Sequence, residues 1–84
     1  MVSREDIKKD VINYIVEKGG DENISEEDEV SRYGMDDFDL VDMEMEIERK
    51  YKNGELGEES AVLWEHDTVK EVIDKLYKFL NLGN

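Results

Sequence analysis

Apolar positions in this 84-residue chain fall into three stripes at helical spacing, separated by polar connections. Ile7, Val11, Tyr14 and Ile15 recur on one helical face, and Val16 widens it. Ser3, with Asp6 three residues on, predicts the start of this helix, because its hydroxyl can accept from early amide groups. Gly19-Gly20 predicts its end, since glycine tolerates the left-handed conformation found there. Residues 21–35 follow as a polar connection with isolated apolar residues at Ile24, Val30 and Tyr33. Those three are expected to pin it over the core, because an unanchored loop of this length is uncommon in a compact domain. Ser25 can begin a turn of helix, and Gly34 marks a break.

A second helix is predicted from Asp36 to about Tyr51, with two adjoining apolar strips: Phe38, Val41 and Met45, then Leu40, Met43, Ile47 and Tyr51. Asp36, Asp37 and Asp39 at its amino end and Arg49, Lys50 and Lys52 at its carboxyl end suit the helix dipole. Asn53-Gly54-Glu55-Leu56-Gly57 breaks the pattern, and a short helix is expected over Glu58–Trp64. Thr68 with Glu71 fits the capping box, and Val69, Val72, Ile73, Leu76 and Leu80 form a third stripe, with Gly83 just past its end. No segment alternates as a strand does. The expected class is all-α: a single domain, 1–84, of three main helices and one short one, in effect a four-helix bundle.

Charge changes that picture. The net charge is −13, and between Asp21 and Glu48 thirteen acids face one base, Arg32. The rest of the chain is nearly balanced. Such a surface repels nucleic acid and anionic membranes and attracts basic patches on proteins. With no cysteine and only His66, thiolate chemistry and histidine metal clusters are excluded. No calcium loop fits either: counted from Asp37, the fifth position is Val41 and the sixth is Asp42, where an oxygen ligand and a glycine are required. No apolar run reaches the roughly 20 residues that cross a bilayer. The charged start, Met1 to Asp6, lacks a signal-peptide core, so a cytoplasmic monomer is expected. A deep active site is not expected in so small a core, and no catalytic residues or metal ligands are assigned.

The run Gly34-Met35-Asp36-Asp37-Phe38-Asp39-Leu40-Val41-Asp42-Met43 resembles the acyl carrier protein signature Gly-x-Asp-Ser-Leu-Asp-x-Val-Glu-Leu. Ile47-Glu48-Arg49-Lys50-Tyr51 resembles the family's Leu-Glu-x-x-Phe, and Thr68-Val69 resembles the Thr-Val before its last helix. The resemblance covers most of the chain, in order. It implies a helical carrier domain, fatty-acid or related acyl-transfer metabolism, and 4′-phosphopantetheine esterified to the serine.

Asp37 stands at that serine. A carboxylate lacks the hydroxyl that attacks coenzyme A, and its charge repels the incoming phosphate. Neither Ser3, Ser25, Ser31 nor Ser60 lies in a matching context, and Phe38 replaces the usual leucine. No cofactor is therefore expected. Asp37 can act as a helix cap or imitate the charge of a phosphoserine. Asp36, Asp39, Asp42, Glu44, Glu46 and Glu48 resemble the surface that meets basic patches of partner enzymes, an acyl-transfer or carrier-modifying enzyme among them. The expectation is a non-enzymatic, arm-less docking module. The alternatives are a working acyl carrier and an acidic mimic of nucleic acid. Met35, Met43 and Met45 are assigned to the core rather than to an acyl tunnel. Trp64 and His66 are read as a cover over the core end, with no chemistry assigned.

Overall fold

A computed structural model describes residues 2–19, 23–52, 54, 57 and 59–82. The element order is helix α1 (Arg4–Glu17), a 3-10 helix (Val30–Tyr33), helix α2 (Asp37–Tyr51) and helix α3 (Val69–Leu80). Each α-helix begins on a side-chain cap. Ser3 Oγ accepts from the Asp6 amide, while Asp36 with Asp39 and Thr68 with Glu71 form reciprocal capping boxes. The Asp36–Asp39 box went unforeseen: these aspartates serve amide groups directly as well as the dipole.

Among the described residues there are three α-helices, which corrects the expected four-helix bundle. Residues 59–64 form no helix, and Glu58 lies outside the described residues. The Ala61 amide and that of the following Glu65 turn sideways to Glu44 and Asp37 of α2, and Val62 adopts φ +56°, outside right-handed helical space. The short helical piece is instead the 3-10 helix at Val30–Tyr33, later than the turn at Ser25. Gly34 closes it at φ +81°, and its amide donates to the Ser31 carbonyl. Gly19 occupies the left-handed region after α1, whereas Gly20 and Gly83 lie outside the described residues.

Ile7, Val11 and Ile15 of α1 meet Leu40, Met43 and Ile47 of α2 and Val69, Val72, Ile73, Leu76, Phe79 and Leu80 of α3 in one core. Val30 and Met35 complete it, while Ile24 and Tyr33 pack against its edge, so the long connection is anchored as expected. The same connection serves the start of α3. The amides of Val69 and Lys70, among the first-turn donors that no helix satisfies internally, donate to the carbonyls of Asp28 and Glu26 at 2.9 Å each. An isolated antiparallel bridge joins Glu29 to Thr68. Arg4 ties all three parts together, donating to Asp74 at 2.7 Å and to Glu26 at 3.0 Å. Among the described residues no helix is long and apolar enough to cross a membrane.

Candidate functional site

Asp37 is the first residue of α2 and is exposed. Its Oδ1 accepts the backbone amide of Glu65 at 3.0 Å, across 28 residues of chain. Two further carboxylates on the same strip of α2 repeat this contact. Glu44 Oε1 accepts from the Ala61 amide and from Ser60 Oγ, each at 3.2 Å, and Glu48 Oε2 accepts from the Gly57 amide at 3.3 Å. Positions 37, 41, 44 and 48 share one helical face, so the segment runs antiparallel along α2, held by acids at both ends and in the middle. We call residues 59–65 the strap.

Glu44 and Glu48, expected on an exposed docking face, are therefore turned inward, with exposures of 9% and 3%. Burial pushes the Glu44 carboxyl above the usual carboxylate range, against the bonds from Ala61 and Ser60 that favour its charged form; neighbouring Glu48 adds to the rise. Lys52 Nζ lies 3.7 Å from Glu48. On the other side of the strap, Lys75 Nζ donates to the Val62 carbonyl at 3.2 Å and to the buried Asp67 carboxylate at 2.7 Å. Asp67 also accepts the Trp64 amide at 3.0 Å.

The other four acids lie on or near the outer surface of α2. Asp36 and Asp39 are engaged in the capping box, and Asp39 lies 3.9 Å from Lys18. Asp42 is exposed and accepts from the Tyr14 hydroxyl, a bond that with burial raises the tyrosine's pKa; burial is the larger cause. Glu46 is exposed. The structure thus leaves Asp36, Asp37, Asp42 and Glu46 exposed and Asp39 half-buried, and turns Glu44 and Glu48 inward.

The two apolar strips of α2 separate. Leu40, Met43 and Ile47 enter the core, whereas Phe38 and Val41 stand 85% and 58% exposed and Met45 is half-buried. On the strap, Ala61 and Leu63 pack against the core while Val62 and Trp64 point out, 72% and 55% exposed. Trp64 meets His66 edge-on at 4.7 Å, and it does not cover the core as its sequence position suggested. The sequence carried one signal of the strap contact: 37, 44 and 48 lie on one helical strip. Nothing marked Val62.

Comparison with protein-family models, with curated proteins and with solved structures finds no match to this chain. The functional reading therefore stands on the residues and their geometry.

Proposed function

We propose that this chain is a non-catalytic protein-binding module of acyl-carrier-like plan, one that takes no covalent phosphopantetheine arm. It docks a basic patch of a partner protein through the outward acids of α2, Asp36, Asp39, Asp42 and Glu46. The observation that carries this reading is Asp37. It heads α2 at the position of the family's serine in the resemblance, and its carboxylate holds the strap through the Glu65 amide. A side chain so engaged is a structural anchor and offers no hydroxyl for transfer. The acids around it leave a one-signed surface that steers cationic partners, with acyl-transfer or carrier-modifying enzymes the first class to try.

Intact mass after incubation with coenzyme A and a broad-specificity phosphopantetheinyl transferase tests the reading. The wild-type mass stays unchanged; a gain of one phosphopantetheine overturns the arm-less module in favour of a working carrier. The companion is Asp37→Ser. Modification of that variant shows a carrier-type docking face that lost only its nucleophile, and its refusal counts against the carrier-like plan.

A further inference from the structure

Of the five large apolar side chains that stand exposed among the described residues, four are Phe38, Val41, Val62 and Trp64. The fifth, Leu82, follows α3. Two anchors set the four side by side. The Glu65 amide on Asp37 and the Ala61 amide on Glu44 bracket Val41 on the helix and Val62 to Trp64 on the strap. A domain with only 38% hydrophobic residues has little apolar material beyond its core, so a concentration of it outside is informative. Val62 adds a second observation. A β-branched residue at φ +56° is an outlier, of a kind that costs about 1–3 kcal/mol, and here it turns a side chain outward that the core does not use.

Acids border this patch on its helix side. Asp42 and Glu46 run along the helix edge and Asp36 lies at its head, Glu59 and Glu65 belong to the strap, Arg49 is exposed at the far end of the strip, and Lys75 reaches the Val62 carbonyl from the other side of the strap. An apolar strip with an acidic margin along the helix is complementary to an apolar stripe bordered by lysine and arginine. The strip from Phe38 to Met45 extends about 10 Å at the helical rise, the reach of two turns of an apposed helix.

We propose that the outward strip of α2 and the strap together form a docking surface for a cationic amphipathic helix of another protein. The inference rests on, and deepens, the reading of α2 as the binding face. A second copy of this chain is the wrong occupant, because its −13 charge would bring acid against acid. Phe38 and Trp64 are the anchors, and the acids set the orientation.

Trp64 is the only tryptophan, so the patch contains its own reporter. The full chain is titrated with a synthetic helical peptide of lysine and leucine, and with a scrambled peptide of the same composition that has no apolar face. The amphipathic peptide shifts Trp64 emission to the blue and binds at least about tenfold more tightly than the scrambled one. Phe38→Ser and Val62→Ser each weaken it by about fivefold or more, and Leu82→Ser leaves it unchanged. Equal binding of the two peptides overturns this inference while the charge-based docking of the previous section stands. Binding of neither overturns both. A concentration-dependent dimer that buries Trp64 without peptide overturns it in favour of self-association.

Discussion

Helices α3 and α2 make opposite use of their sequences. In α3 the buried residues are Val69, Val72, Ile73, Leu76, Phe79 and Leu80, all apolar, and its charged side chains lie at or near the surface. In α2 the core takes Leu40, Met43 and Ile47, yet Glu44 and Glu48 are also buried and Phe38 and Val41 are left outside. Folding alone accounts for α3. In α2 the withdrawn carboxylates hold the strap, but the exposed apolar groups, set against their transfer preference, gain the fold nothing. Local rules tend to break at functional sites, and here the break follows one helix and the strap bound to it.

The strongest way to sharpen that contrast is to truncate each helix in turn. Leu76→Ala, at a fully buried position, is expected to cost about 2–5 kcal/mol and lower the melting temperature by roughly 10 °C or more. In a domain of this size that is a large share of total stability.

Removing the central strap anchor is the next largest effect. Glu44→Ala orphans the Ala61 amide and the Ser60 hydroxyl and is expected to cost about 1–2 kcal/mol, with faster hydrogen exchange at the Ala61 amide. Glu44→Gln keeps an acceptor oxygen and removes the buried charge. Because burial raises this carboxyl, the folded chain holds its proton to higher pH than the unfolded chain does. Its contribution is therefore most favourable below the ordinary carboxylate range, and is lost as pH rises through the raised value. Glu44→Gln should be the more stable protein at pH 7, with a flatter profile over that window in pH-dependent melts. Glu26 titrates with the opposite sign. Arg4, then Lys8, hold its carboxyl below the usual range, so its stabilisation is present above that range and lost on acidification.

A smaller effect probes the strap backbone. Val62→Gly relieves the left-handed strain at the cost of chain entropy, and should stabilise the fold by about 1 kcal/mol or less in chemical denaturation. Destabilisation would mean that the exposed valine side chain supports the fold after all.

How legible these regions were follows the same division. The positions of α1 and α3 could be read because local signals set them: Ser3 and Thr68 as caps, and apolar spacing that the core then honoured. Phe79 escaped the third stripe only because it widens the face by one position. The strap could not be read. Ser60 to Trp64 contains residues that a helix accepts, and its extended path is fixed by carboxylates 16 to 28 residues away in sequence. For the same reason Glu44 and Glu48 read as acids of an exposed docking face. The Gly57 and Ala61 amides and the Ser60 hydroxyl, partners that a residue pattern does not show, make their burial tolerable. Asp37 was legible in position but not in partner.

The proposed role of the outward strip of α2 in recognition requires that the fold not depend on it. Thermal denaturation of the double variant Phe38→Ser, Val41→Ser addresses it most directly, since both positions are exposed. The expected melting temperature lies within a few degrees of wild type, the range of surface substitutions of about ±0.5 kcal/mol each. A fall comparable to that of Leu76→Ala would place the strip in the core and contradict it.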